Sequence, residues 1–316
     1  DWRLFRLAID TMLDDFKDGF FPNIGEGKQA AYNSVDAPLW FFWTLQQYAY
    51  INDARKEVWQ AYSHIMRNIL ENFSEGVSNV RMDSNFLLWQ GEEGKALTWM
   101  DAIIDGNPVT ARKGYAVEIN ALWYNAVMFY RELAKLQCED GEIAKWDEFA
   151  ENFPTNFKAT FWSKEIGYLA DYVDGAYKDF SVRCNMIFAA SLEYSPISPK
   201  IRQLIVEKVK QELLTPRGLR SLSPTHKAYH EIYFGTQQER DRAYHNGTVW
   251  PWLIGAFSEA FLRVYGKEAV NYIEQIYNEF GNILCDYCVG SIAEVYDGNP
   301  PYKAGGSISQ AWSVAE

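Results

Sequence analysis

A helical period that returns again and again after long, glycine-rich interruptions constrains this chain more than any other feature. Apolar residues at three- and four-residue spacing (Leu4, Leu7, Ala8, Met12, Phe16) predict an amphipathic helix over Trp2–Lys17, with Gly19 as its stop. Asp36 opens a second helix through Leu39-Trp40-Phe41-Phe42 to Tyr50, and a third follows over Ala54–Phe73. Residues 78–90 read as strand and hairpin. Helices resume at Val117–Leu136, Ala144–Phe161 (with a kink or break at Pro154), Arg183–Leu192, Lys200–Leu214, Thr248–Tyr265 and Glu268–Leu284, and a last one starts near Ser307.

About ten helices of similar length without a strict repeat suit antiparallel helical hairpins, either closed into an α/α barrel or stacked into an open solenoid. The connections decide between them. Stretches such as "GEEGKALTWMDAIIDGNPVTARKG", "GYLADYVDGAYKD" and "VGSIAEVYDGNPPYKAGG" are long and carry short strands, whereas solenoid loops are short and repetitive. Long loops on a helical scaffold carry function, which favours a barrel with its chemistry on the loops. No composition shift divides the chain, so 1–316 is expected to be one domain. A barrel of six hairpins needs about twelve helices. The expectation is therefore a fragment of a longer protein, lacking one or two helices at its ends.

Charge and composition exclude some partners. A net charge of −12 disfavours nucleic acid and an anionic membrane surface, because both need a basic patch. Twelve Trp, 20 Tyr and 19 Phe supply a large core, but tryptophan also offers a flat apolar face with one N–H donor. A Trp-rich acidic cleft suits sugar rings, which present C–H faces and hydroxyls. Cys285 and Cys288 form a lone CxxC without further ligands at zinc-finger spacing, so reduced, partly buried thiols are expected for these two, Cys138 and Cys184. His226 and His230 have i, i+4 spacing, yet Pro224 and the missing HExxH context argue against a zinc site. No run is long enough to span a membrane and no secretory leader is present, so a cytoplasmic protein is expected.

Four stretches can carry chemistry. In "LTWMDA" one acid, Asp101, sits among Leu97, Trp99, Met100, Ala102, Ile103 and Ile104. If this run is extended, Leu97, Trp99, Asp101 and Ile103 share a face and the carboxyl lies beside an indole. An apolar setting raises a carboxyl pKa, as a general acid needs; a turn cap, or a pair with Lys95 or Arg112, is the plainer alternative. In "GSIAEVYDGNPP" a second lone acid, Glu294, precedes an Asp-Gly-Asn-Pro-Pro turn, with Ile292 and Tyr296 on its face of the strand. It is either the partner of Asp101 in a glycosidase pair or an edge-strand acid facing water. In "YHNGTVWPWLIGAF", Pro251 belongs in a first helical turn, which places the helix start near Thr248, puts Trp250 and Trp252 in that turn, and leaves His245-Asn246-Gly247 as the loop feeding it. The functional alternative to a cap and core tryptophans is a cleft wall that binds sugar hydroxyls. In "VEINALWYN", Glu118 and Asn125 are seven apart and share a helical face, where burial of Glu118 with a partner is plausible; Asp36 is an N-cap by type and position.

Taken together, "LTWMDA", "VTARKGYAVEINALWYNA", "GLRSL", "YHNGTVWPWLIGAF" and "GSIAEVYDG…QAWSVAE" closely resemble the amylo-α-1,6-glucosidase domain of glycogen-debranching enzymes, in order from about Ala31 to Glu316. The resemblance implies an all-α (α/α)6 barrel like that of glucoamylases and trehalases, and inverting hydrolysis of α-1,6-linked glucose without metal or organic cofactor. It implies Asp101 as general acid and Glu294 as general base, with Asp36, Glu118 and His245 in substrate-contacting motifs. Trp40, Trp99, Arg112, Asn120, Trp123, Asn246 and Trp250 lie in or beside those motifs and are expected to bind substrate. The implied partner is an α-glucan (glycogen, limit dextrin or a branched maltooligosaccharide), with a sugar-binding domain upstream in the parent protein. This chain departs from the family pattern at Arg183-Cys184-Asn185-Met186 (usually Arg-Pro-Asn-Gln), at His245-Asn246-Gly247-Thr248 (usually His-Gln-Gly-Thr) and at Thr110-Ala111-Arg112 (usually Thr-Pro-Arg). Two other readings remain at this point: a trehalase- or glucoamylase-like α-glycosidase, and a non-catalytic glucan-binding fragment.

Overall fold

The structure, a computed structural model, describes residues 2–23, 31–287 and 289–315. In chain order it runs α1 (Trp2–Leu13), α2 (Asp36–Ile51), α3 (Arg55–Glu75), the hairpins β1 (Val80–Met82) with β2 (Leu88–Gln90) and β3 (Ile103–Ile104) with β4 (Asn107–Pro108), then β5 (Tyr115–Ala116), α4 (Val117–Leu136), α5 (Asp140–Ala144) and α6 (Asp147–Phe161). There follow β6 (Trp162–Ser163), β7 (Tyr168–Leu169), β8 (Tyr172–Asp174), β9 (Tyr177–Asp179), α7 (Ile187–Ser191), α8 (Pro199–Glu212), β10 (Leu214–Thr215), β11 (Gly218–Arg220) and α9 (Gln237–Tyr244). The chain continues through β12 (Val249–Trp250), α10 (Leu253–Tyr265), α11 (Val270–Gly281), β13 (Val295–Tyr296), β14 (Ala304–Gly305) and α12 (Ala311–Ala315).

The helices form the two layers of an α/α barrel. α2, α4, α7 and α10 pack in succession as the inner layer, while α3, α6 and α8 lie outside them. Composition explains the sorting. Val117 to Val127 of α4 is buried without a break, so this helix is covered on every side. α3 buries only Val58, Trp59, Tyr62, Met66, Ile69, Leu70 and Phe73, a single stripe at helical spacing that faces the inner layer. On α6 the stripe is Phe149, Phe153, Phe157 and Phe161, four rings one turn apart, each contributing on the order of 2–3 kcal/mol by leaving water.

Connections alternate in length. On one rim they are tight, as at Asn52–Ala54 and Gln137–Glu139. On the other rim they are long and stitched together by small sheets. β5, β8 and β9 join the loop before α4 to the loop after α6, and β10–β14 form a five-stranded antiparallel sheet that joins the loop before α10 to the loop before α12. Both acids singled out in the sequence lie on this second rim.

Several boundaries differ from the expectations. Trp250 is not in a helical turn: Val249–Trp250 is a strand paired with β11 and β13, and α10 begins only at Leu253. Trp250 precedes Pro251, and a residue before proline is pushed out of the α region. The α6 helix runs through Pro154; the break falls earlier, at Trp146 between α5 and α6. The N-cap of α2 is Val35, which leaves Asp36 in the first turn, with Ser34 Oγ accepting from the Ala37 N–H at 3.3 Å. The strand expected over Leu97–Ile103 starts only at Ile103, and Leu97 to Met100 is a buried run without alternation. α1 ends at Leu13, and α9 stands where no helix was expected. Its surface is polar all round, but Thr236 and Glu239 make a full capping box, a start signal present in the sequence.

Candidate active site

A cavity of about 1000 Å³ opens among the long loops and runs down between α1, α2, α10 and α11. Its wall is aromatic: Trp40, Trp43, Trp99, Phe188, Trp252 and Trp312 all line it. Trp40 meets Trp43, Phe188 and Trp252 edge-on at 5.3–6.2 Å, and Trp99 meets Trp252 edge-on at 5.2 Å. Such a surface presents flat apolar faces to the C–H faces of a sugar.

Asp36 and Asp101 line this cavity, as do Glu193 and Glu259, whereas Glu294 is not among its lining residues. Asp101 is exposed to water through the cleft, yet the surrounding walls partly desolvate its carboxyl. That desolvation, with smaller contributions from the charges of Asp36 and Glu294, pushes its pKa up to about 6. Neither Lys95 nor Arg112 pairs with it: Lys95 bridges to Glu92, and Arg112 is held elsewhere. Asp36 is buried, takes a short bond from the Ser34 hydroxyl, and is also raised, chiefly by burial.

Glu294 stands just before β13, half-buried, with both carboxylate oxygens held. The Tyr244 hydroxyl donates to Oε1 in a short bond, and the Ser307 N–H donates to Oε2 at 2.7 Å. The Glu294 N–H in turn donates to the Ser307 carbonyl at 3.0 Å, so the segment is anchored from both sides. Asp101 and Glu294 are near enough to bear on one another electrostatically, although they are carried by different loops.

Behind the cleft lies a buried polar network. The Arg112 guanidinium, 5% exposed, grips Glu118, 1% exposed, through both carboxylate oxygens and donates to Asp171 Oδ2 at 2.6 Å. Burial alone would lower the pKa of Arg112, but the Asp171 and Glu118 charges more than reverse this and hold it charged. Asn185 links the network to the cleft: its Nδ2 donates to Asp171 Oδ1 at 2.7 Å and its Oδ1 accepts from Trp99 Nε1 at 2.9 Å. Arg183 donates to the His245 carbonyl at 2.6 Å and to Asn246 Oδ1 at 2.8 Å.

His245 is fully buried, stacked on Trp250 with ring centroids 5.5 Å apart and edge-on to Trp99 at 5.2 Å. Neither ring nitrogen has a partner among the described residues, and burial with the Arg183 and Arg112 charges drives its pKa down to about 3, so the imidazole is neutral.

Of the residues expected from sequence, Asp36, Trp40, Trp99 and Asp101 line the cavity. Trp250 and His245 back it through Trp99. Arg112, Glu118 and Asn246 sit in the polar network. Asn120 clamps β2, donating to the Leu88 carbonyl at 3.1 Å and accepting from the Leu88 N–H at 2.8 Å. Trp123 lies in the core against Phe73, Trp146 and Phe149. Glu118 and Asn125 share a face as expected, Asn125 donating to Gln46 Oε1 at 2.9 Å. Tyr244, Ser307, Asp171, Arg183, Asn185, Trp43 and Trp312 were not picked out. Arg183, Asn185, Tyr244 and Trp312 lay in motifs quoted for the family resemblance, and Trp43 is the i+3 neighbour of Trp40. Cys184 is buried with its thiol pKa pushed up, Cys138 and Cys285 are exposed, and Cys288 lies outside the described residues. Among the described residues no helix is long and apolar enough to cross a membrane.

An α/α barrel with a Trp-lined cavity and lone acids on one rim suits the chemistry of a glycoside hydrolase. Two solved structures from Thermus thermophilus share the fold over 97% of this chain and 85% of theirs, each with a TM-score of 0.67. One is an uncharacterized conserved protein at 16% identity, the other the GH63 mannosylglycerate hydrolase in complex with glucose at 14%. A glycogen debranching enzyme of Saccharomyces cerevisiae is 24% identical over 341 aligned positions, which take in 79% of this chain and 22% of that protein, so the chain spans about a fifth of the length of this curated relative. The family model described as amylo-alpha-1,6-glucosidase matches residues 3–316, and the chain belongs to that family.

Proposed function

We propose that this chain hydrolyses terminal α-1,6-linked glucose at branch points of glycogen or limit dextrin, with inversion at the anomeric carbon. Asp101 protonates the glycosidic oxygen, and Glu294 takes a proton from a water on the opposite face of the ring. The observation that carries this reading is the contrast between the two carboxyls. Asp101 is partly desolvated at the cavity wall, with its pKa pushed up to about 6, which raises the share that carries a proton to give. Glu294 accepts two hydrogen bonds, from the Tyr244 hydroxyl and the Ser307 N–H, which fix where its oxygens point. Trp40, Trp99 and Trp252 provide stacking faces for the glucosyl unit, and the buried Arg112–Glu118–Asp171 network holds the loop that carries Asp101.

The test compares branched limit dextrin, trehalose and linear maltodextrin as substrates, and reads the anomer first released by NMR. Glucose released from limit dextrin as the β-anomer, with loss of at least about 1000-fold in Asp101→Asn and Glu294→Gln, is expected. Preference for trehalose or linear chains would move the chain to another α-glycosidase specificity. Glucan binding without turnover, unchanged by Asp101→Asn, would make it a binding module.

A further inference from the structure

The strongest unassigned relationship near the cavity is the contact between Tyr244 and Glu294. Tyr244 is the last residue of α9, a helix fixed at its other end by the Thr236–Glu239 capping box. Its ring is packed on three sides, against Tyr233 at 5.5 Å, Trp250 at 4.7 Å and His245 at 4.7 Å. Its carbonyl accepts from Trp250 Nε1 at 2.9 Å, which ties the residue to β12 as well. The hydroxyl therefore has little freedom, and it is spent on one partner, Oε1 of Glu294.

We propose that Tyr244 is a positioning residue for Glu294: its hydroxyl fixes the direction in which the carboxylate points. This rests on the reading of Glu294 as general base. Three features support it. A carboxylate accepts only, and a tyrosine hydroxyl in a one-acceptor site can satisfy it only as donor. The phenol pKa is driven far up by burial and then by the bond to Glu294, so the proton stays on Tyr244 at any working pH. The second oxygen of Glu294 is already oriented by the Ser307 N–H, so the tyrosine bond removes the remaining rotation of the carboxylate plane. The titratable groups bearing on Glu294 are Tyr244 from α9, Tyr233 from the preceding loop and Asp101 from the facing loop; Arg240 and Asp241 act on the same cluster through Tyr233. Asp101 and Glu294 bear on each other as like charges, but the tyrosine bond belongs to Glu294.

The experiment compares Tyr244→Phe, Glu294→Gln and the parent chain on branched limit dextrin, with full pH profiles and a melting curve for each. For Tyr244→Phe, kcat is expected to fall about 10- to 100-fold with KM within about twofold, and the acidic limb of the kcat/KM profile to move up by about one pH unit. A purely structural role would lower the melting temperature and leave the limb in place. If Glu294→Gln is inactive and Tyr244→Phe keeps the parent kcat and limb, the tyrosine inference alone is overturned. If Glu294→Gln keeps full turnover, the proposed function falls, and with it the base that Tyr244 would position. Should Tyr244→Phe fail to fold, 3-fluorotyrosine in place of Tyr244 keeps the hydroxyl and makes it a stronger donor. The limb is then expected to move down, and an unmoved limb overturns the inference.

Discussion

Trp99 and Asn185 share one hydrogen bond, indole Nε1–H to Oδ1 at 2.9 Å, and through the same amide the cleft wall is joined to Asp171 at 2.7 Å. Both residues are buried, so neither has water as a substitute partner. Asn185→Ala leaves the Trp99 N–H without its acceptor and removes one donor from Asp171. A loss of about 2–4 kcal/mol in stability by urea unfolding is expected, with a KM raised several-fold because Trp99 is no longer held edge-on. Asn185→Asp is expected to be worse, since it sets a second carboxylate against Asp171.

Asp101 makes the pH dependence of stability oppose that of a simple surface acid. Its folded pKa is raised to about 6 from 3.8, so the folded state holds the proton more tightly than the unfolded one. Its contribution is fully present below about pH 4 and is lost as pH rises through about 6. Asp101→Asn keeps the neutral shape at all pH. Melting curves are therefore expected to show the variant more stable than the parent at pH 8 and equal to it at pH 4. A gap of the same size at both pH values would mean that Asp101 is not desolvated as described.

His245 predicts the opposite slope. Its pKa is lowered to about 3 from 6.5, so its contribution is present above pH 6.5 and drains away as pH falls towards 3. Neither ring nitrogen has a partner to lose among the described residues. His245→Phe, which keeps the stack on Trp250, is expected to match the parent within about 1 kcal/mol at pH 7.5 and to exceed it at pH 4.5. Urea midpoints at the two pH values test this.

Gly306 lies against Glu294 at φ +70°, and a Cβ there would stand 2.5 Å from Glu294 Oε2 and 2.9 Å from its Cβ. Gly306→Ala must displace the carboxylate or the turn that presents the Ser307 N–H to it. Activity on limit dextrin is expected to drop at least about 10-fold, with under about 2 kcal/mol of destabilisation. Parent-like kcat would show that the turn can relax without moving Glu294.

Much of the barrel was legible from sequence because its cause is local. The inner α4 is apolar all round and the outer α3 and α6 carry single stripes, and both patterns can be read from spacing alone. The rim was legible only in part. Asp101 and Glu294 stood out as lone acids in apolar runs, but nothing in the spacing around Tyr244, Asn185, Asp171 and Arg183 gave them individual roles. Their meaning arises from contacts across dozens of residues, such as Asn185 with Trp99 or Tyr244 with Glu294. Burial of Glu118 with a partner was expected from its neighbours; the fold supplies Arg112 as that partner, and the pair lies behind the wall rather than in its lining. The Trp250–Pro251 step misled through proline: its tolerance in a first helical turn was weighed, and its effect on the residue before it was not.

The alternation of loop lengths leaves two tight turns away from the cavity. The tight turns at Asn52–Ala54 and Gln137–Glu139 share no residue with the cavity, and their helices are held by packing along their lengths. Dyes, surface tethers or fused domains placed in those turns would leave the opposite mouth clear for a branched polymer too large to enter. A bead-bound form of this protein held by those two turns would present the long-loop mouth outward to a glycogen particle.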